Sequence, residues 1–161
     1  MTETELRFTV NGTPRLIAVE PGKTLLAVLR EDLGLTSVKE GCGQGDCGSC
    51  IVVMDGLAVN SCLVLAAQAD GSEVVTLEGL AVNGQLHPLQ HHFAEEWAFQ
   101  CGYCTPGMIM SCYALLMHNP KPEAQDVEQA IEGNLCRCTD YHNIIKAVLA
   151  AADEVNARVA E

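Results

Sequence analysis

The sequence predicts an α+β chain, with a small sheet-and-helix module at the N-terminus and a helical half after it. Three observations carry this. Apolar residues alternate with polar ones near the N-terminus, around turn signals such as Asn11-Gly12 and Asp55-Gly56. From about Gly79 onward the apolar period changes to that of helices. Eight of the nine cysteines divide into two sets of four, one set in each half.

The elements follow in order. Leu6, Phe8 and Val10, the Asn11-Gly12 turn, and Leu16 and Ala18 predict a β-hairpin with these residues on its apolar face. Thr24 is placed to cap a helix carrying Leu25, Leu26, Leu29 and Leu33, with Gly34 as its stop. Residues 51–54 read as a short strand turning at Asp55-Gly56. Val59 to Cys62 reads as a return, and residues 73–77 as a further strand. Asn83-Gly84 marks a linker turn, which divides the chain into units of 1–80 and 81–161. Four helical stripes follow. Leu86, Leu89, Phe93 and Trp97 form the first, and Met108, Ile109, Cys112, Leu115 and Leu116 the second. Val127, Ala130 and Ile131 form the third, ended by Gly133-Asn134. Ile144, Ile145, Val148, Leu149, Ala152 and Val155 form the fourth. Short helices with apolar stripes predict a small bundle.

Composition narrows the function. A hydrophobic share of 48% is enough for packed cores, and aromatics at 4% make them aliphatic. The net charge of −12 is spread over both halves: residues 1–80 carry 5 Lys/Arg against 11 Asp/Glu, and residues 81–161 carry 4 against 10. Neither half offers the basic footprint of a nucleic-acid or anionic-lipid binder. The N-terminal residues show no secretory or twin-arginine pattern, and no apolar run is long enough to span a membrane, so a cytoplasmic protein is expected. In such a compartment nine cysteines point to metal or redox chemistry rather than disulfides.

The stretch 39–50, K-E-G-C-G-Q-G-D-C-G-S-C, sets Cys42, Cys47 and Cys50 in a C-x4-C-x2-C run, with Cys62 further on. Gly41, Gly43, Gly45 and Gly48 stand among them. Glycine at this density disfavours helix and strand, and it suits a loop wrapped closely around a group. The spacing is the plant-ferredoxin type of 2Fe–2S ligation. Its glycine N–H groups would approach the cluster unhindered, so Gly43→Val or Gly48→Val is expected to harm this site and spare the other. The second set is a C-x2-C pair, Cys101 and Cys104, and a C-x-C pair, Cys136 and Cys138. Thr105-Pro106 and Thr139 or Asp140 supply helix-start signals just after each pair, so both pairs sit at helix N-termini, which favour an anionic ligand. Spacing alone leaves structural zinc open, more for the second set than for the first. Cys112 falls on an apolar stripe and reads as a small buried hydrophobe. Adjacent His91 and His92 read as solvated or partly packed. The glycine loop lacks the order of a dinucleotide fingerprint, and no nucleophile elbow or phosphate loop occurs, so no catalytic residue is assigned.

The segments G-C-G-Q-G-D-C-G-S-C at 41–50, Q-C-G-Y-C-T-P-G-M at 100–108 and G-N-L-C-R-C-T at 133–139 occur in order over essentially the whole chain. In them the chain resembles the small iron–sulfur subunit of the molybdenum hydroxylases, the xanthine dehydrogenase and carbon monoxide dehydrogenase family. The resemblance implies a ferredoxin-like β-grasp domain holding one 2Fe–2S cluster through Cys42, Cys47, Cys50 and Cys62. It implies a C-terminal four-helix bundle domain holding a second through Cys101, Cys104, Cys136 and Cys138. It also implies a large subunit whose molybdenum–pterin cofactor is contacted by Gln100, a flavin (FAD) subunit, and a dimer of heterotrimers. Electrons would run from molybdenum through the helical-domain cluster and the ferredoxin-domain cluster to flavin. The family often has glycine where Asp140 stands, and Asp140 is expected to cap the last helix. A free-standing two-cluster carrier and a zinc-stabilised interaction module are the alternatives.

Overall fold

The structure, a computed structural model, describes residues 3–159. Its first element is a hairpin of β1 (Thr4–Val10) and β2 (Thr13–Val19). Asn11 and Gly12 both take left-handed φ, 51° and 72°, which is the conformation a two-residue hairpin turn requires. That turn fixes the register as Val10↔Thr13, Phe8↔Arg15 and Leu6↔Ile17. Partners in an antiparallel pair face the same side, so the odd-numbered residues of β2 share the face of Leu6, Phe8 and Val10. The expectation for β2 is therefore corrected. Leu16 is 60% exposed and Ala18 also points outward, while Val19 is buried and Ile17 half-buried.

Thr24 caps the next helix as expected, its hydroxyl accepting from the Ala27 amide at 3.2 Å. The helix, α1 (Leu25–Ala27), widens at once into a π-helical segment, Val28–Asp32, and Gly34 follows at φ 70°. Beyond the glycine–cysteine loop come β3 (Ile51–Met54), β4 (Leu57–Asn60) and β5 (Glu73–Val75). The return strand thus ends before Cys62, and the last strand stops at Val75 and gives way to a 3-10 turn, Leu77–Gly79. The five strands form one sheet in the order β2-β1-β5-β3-β4, with β1 and β5 parallel and the other pairs antiparallel.

The period of two along the inner strands divides them between two cores. Val52 and Val74 face the N-terminal core of Leu6, Phe8, Leu25, Val28 and Leu29. Their neighbours Val53 and Val75 face the core of the helical half. The sheet is therefore covered on both faces.

The helical half contains α2 (Pro88–Glu95), α3 (Thr105–His118), α4 (Ala124–Ala130) and α5 (Tyr141–Val159). α2 packs on α5, α4 packs on α3 and α5, and α3 lies along β3. Leu89, Phe93, Met108, Met110, Ile131, Ile144 and Val148 fill the core between them, each side chain contributing about 2 kcal/mol of burial. Two members of the first predicted stripe lie outside it: Leu86 is 54% and Trp97 79% exposed. Leu86 precedes the His87 N-cap, and Trp97 falls in a Schellman closure of α2 without glycine. Ala98 N donates to Phe93 O at 3.0 Å and Trp97 N to Ala94 O at 3.3 Å, with Trp97 left-handed at φ 53°. Among the described residues no helix is long and apolar enough to cross a membrane.

Candidate metal centres

The two cysteine sets form two separate sites, and each is built from two close pairs. In the loop set the Cys42 thiol lies within interaction reach of Cys47, and the Cys62 thiol within reach of Cys50. In the helical set Cys101 pairs with Cys138, and Cys104 with Cys136. The pairs thus join a residue of the 101–104 segment to one of the 136–138 segment, a crossing that spacing does not reveal. All nine cysteines are free thiols.

Backbone amides surround the outer sulfur of the loop set. The N–H groups of Gln44 and Asp46 donate to Cys42 Sγ at 3.5 and 3.2 Å. With the Gln44 amide as the main cause, the Cys42 thiol is drawn down to about 7. Its counterpart Cys62 is buried, and that burial pushes its thiol up to about 11. Gly41 leaves Cys47 its room: a Cβ there would stand 2.6 Å from Cys47 Sγ. Asn60 closes the far side, accepting from Cys50 Sγ at 3.7 Å and donating to Gly45 O at 3.4 Å.

The helical set lines a hollow of about 200 Å³ together with Ser49, Tyr103, Leu135 and Arg137. Cys104 itself occupies the N-cap of α3, one position earlier than expected, with Thr105 and Pro106 as the first helical residues. Burial pushes its thiol up to about 12. The Tyr103 amide, by contrast, lowers the exposed Cys101 thiol. Thr139 N donates to Cys136 Sγ at 3.3 Å, and the buried Thr139 hydroxyl has no partner. Asp140 caps α5 as expected, accepting from the His142 amide at 3.0 Å. Tyr141 pins the C-x-C segment, its hydroxyl accepting from Cys136 N at 3.0 Å and donating to Asn134 O at 2.7 Å. Cys112 lies on α3 outside both sites, fully buried, its thiol raised to about 12 by that burial. Gln100 is exposed beside Cys101.

Geometry separates zinc from a two-iron cluster. Four sulfurs around one zinc would all lie roughly 3.8 Å apart, from Zn–S bonds of about 2.3 Å. Among the described residues, the group whose ligand atoms all fall within 4.8 Å of one another is His91, His92 and Glu95, and neither cysteine set closes so tightly. Two close pairs facing across a gap suit two irons with two thiolates each. The hollow, the orphan Thr139 hydroxyl and the inward amides fit the same group.

The two sites meet along a seam. Leu135 N donates to Cys47 O at 3.0 Å, Asn134 Nδ2 to Gly48 O at 3.2 Å, and the Tyr103 hydroxyl to Glu40 O at 2.6 Å. Gly107 of α3 packs directly on the Gly48 carbonyl. Gly48 has no room either: a Cβ there would lie 2.6 Å from Gly133 O and 2.7 Å from Asn134 Nδ2. Gly43 differs, since its nearest obstacle is Glu40 Oε1 at 3.8 Å. The sequence expectation that both glycines serve the loop site alone is therefore corrected for Gly48, which touches both.

Paired thiols in two sets, one in a glycine loop and one at helix starts, define a two-cluster iron–sulfur protein. Comparison with known proteins places it further. A 2Fe–2S iron–sulfur cluster binding domain family matches residues 8–78, and a 2Fe–2S binding domain family matches residues 76–149. The chain is 50% identical over 153 residues to the nicotinate dehydrogenase small FeS subunit of Eubacterium barkeri, covering 95% of this chain and 98% of that one. It is 48% identical over 146 residues to the xanthine dehydrogenase iron–sulfur-binding subunit of Escherichia coli O157:H7, covering 89% and 91%. Among solved structures, quinoline 2-oxidoreductase from Pseudomonas putida 86 superposes with a TM-score of 0.93 at 43% identity, covering 98% of both chains. The aldehyde oxidoreductase of Desulfovibrio desulfuricans ATCC 27774 superposes at 0.92 with 43% identity, covering 95% of this chain but 17% of that one. The chain belongs to the small iron–sulfur subunits of the molybdenum hydroxylases, electron carriers that are not catalytic alone.

Proposed function

We propose that this chain passes electrons from a molybdenum–pterin site on a large subunit to an FAD subunit, within a dimer of heterotrimers in the cytoplasm. Cys42, Cys47, Cys50 and Cys62 hold one 2Fe–2S cluster in a β-grasp domain, residues 1–80. Cys101, Cys104, Cys136 and Cys138 hold the other in a four-helix bundle, residues 81–161. Bound there, each cluster supplies a one-electron relay, so two in series drain a two-electron oxidation. The single observation carrying this is the gathering of the eight cysteines into two sites, one wrapped by backbone amides on Cys42 Sγ and one lining a hollow with an amide on Cys136 Sγ.

The helical set takes electrons in and the loop set hands them on. Exposure supports this order at the entry side: Cys101 and Cys138 are exposed, the exposed Tyr103 and Leu135 line the hollow with them, and Trp97 and Phe99 are exposed in the segment that leads into Cys101. Gln100 stands in that segment and is the contact to the pterin. Substrate choice belongs to the large subunit. Purification of the native complex tests the reading. The expected result is about four irons and four acid-labile sulfides per chain, with a pterin-bearing and a flavin-bearing chain in equal amounts. Zinc without sulfide, or a lone chain on size exclusion, refutes it.

A further inference from the structure

We propose that His91, His92 and Glu95 on α2 form a binding site for a divalent transition-metal ion of the zinc class, separate from the cysteine sites. Neighbouring helical residues point about 100° apart, so two adjacent histidines look unrelated in sequence. Glu95 resolves this, because its place one turn later falls between the two directions. His91 Nε2 lies 3.5 Å from Glu95 Oε1, and His92 Nδ1 lies 3.3 Å from Glu95 Oε2. One ligand atom from each of the three side chains lies within 4.8 Å of the others.

These separations are informative. A direct hydrogen bond between such groups is about 2.7–3.2 Å. Two ligand atoms each about 2.05 Å from a tetrahedral zinc stand roughly 3.3 Å apart. Each histidine therefore stands at about the spacing of a coordination edge from one oxygen of Glu95, His91 from Oε1 and His92 from Oε2. A second carboxylate adds to it. From α5, Glu154 Oε2 meets His92 Nε2 at 2.8 Å. With Nε2 donating to this carboxylate, Nδ1 would be left to ligate on the Glu95 side. A carboxylate orienting a metal-bound histidine from behind is a recurrent feature of zinc sites. Two imidazoles and a carboxylate suit zinc, nickel or copper, and three protein ligands leave a position for water. The chain's charge of −12 favours a cation there. His91 and Glu95 are half exposed, at 52% and 54%, so an ion reaches the site from solvent.

Equilibrium dialysis of the iron-loaded full chain against Zn²⁺, with zinc and iron counted by mass spectrometry, tests this independently of the electron-transfer reading. The expected result is one zinc per chain beyond that taken by a His91→Ala/His92→Ala variant, with iron unchanged. Glu95→Gln is expected to weaken binding at least tenfold. Glu154→Gln, which removes no ligand, is expected to weaken it about tenfold. His91 and Glu95 lie on the surface of α2 and His92 is largely covered, so the iron count verifies that each variant is folded. Zinc uptake that the double variant leaves unchanged, or zinc gained only as iron is lost, overturns the proposal and leaves the trio an ion pair.

Discussion

Gly48 is a residue at which the two halves of the chain touch backbone to backbone, beside the Leu135–Cys47 hydrogen bond. Its φ of 70° already excludes most side chains, and Gly133, Asn134 and Gly107 crowd its surroundings. Gly48→Ala is therefore expected to cost about 3 kcal/mol or more, from the left-handed backbone and the overpacking together. Because both sites lean on this point, iron analysis and low-temperature EPR of the reduced protein should show both cluster signals diminished. Gly43→Ala carries the backbone strain alone, about 1–2 kcal/mol, and should weaken only the loop site. Equal damage from the two substitutions would show that the seam at Gly48 is unimportant. The distinction between these glycines is invisible in the sequence, where both stand beside cysteines. It arises from residues 133–134, which lie far along the chain.

Elements whose signals are local were legible, and elements set by distant partners were not. Thr24 and Asp140 cap the helices that follow them, as their residue types imply. The buried face of β2 depends on the register imposed by the Asn11-Gly12 turn, so alternation alone put Leu16 on the wrong side. The end of α2 was missed because the C′ position holds Trp97 where glycine is usual. A bulky residue kept in that conformation, and left 79% exposed, points to a use outside the chain. Trp97→Gly should raise the thermal midpoint of the free chain, by relief of about 1 kcal/mol. It should also reduce co-purification with the large subunit. A variant that is destabilised yet assembles normally would count against both the strain and the docking surface. Glu78 yields a pH prediction at the same scale. Although desolvation opposes it, its carboxylate is held below the usual 4.5 by the hydroxyl and amide of Ser37 (2.5 and 2.9 Å) and the Thr76 hydroxyl (2.6 Å). A depressed folded-state value adds stability above the unfolded value, and this is lost as pH falls through the folded one. Glu78 is exposed, so screening limits the effect to about 1 kcal/mol. Thermal unfolding should show Glu78→Gln destabilised at pH 7, with the gap to the parent protein closing as the pH falls below the usual carboxylate value.

At the scale of the whole molecule, both cysteine sets were readable because each contains short cysteine runs, C-x4-C-x2-C in one and C-x2-C with C-x-C in the other. How the sets face each other was not, since it depends on α3 packing along β3 and placing Gly107 on Gly48. That packing also makes the sheet a shared wall, with Val52 in one core and Val53 in the other, so the halves do not behave as beads on a linker. The consequence is electronic as well as mechanical. Cys47 is joined to the residue before Cys136 by a single hydrogen bond, Leu135 N to Cys47 O at 3.0 Å, so a short through-bond link connects a cysteine of each set. Two paramagnetic centres so linked should split or broaden each other's EPR lines when both are reduced. Cys50 stands with Cys62 in the loop set, so Cys50→Ser should remove one signal and leave the other narrowed to that of an isolated centre. Asn134→Ala removes the clasp to Gly48 while leaving every cysteine in place, and should reduce the mutual splitting with both signals still present. Two parent signals that add as independent spectra at every temperature would show that the seam holds the halves together without coupling them.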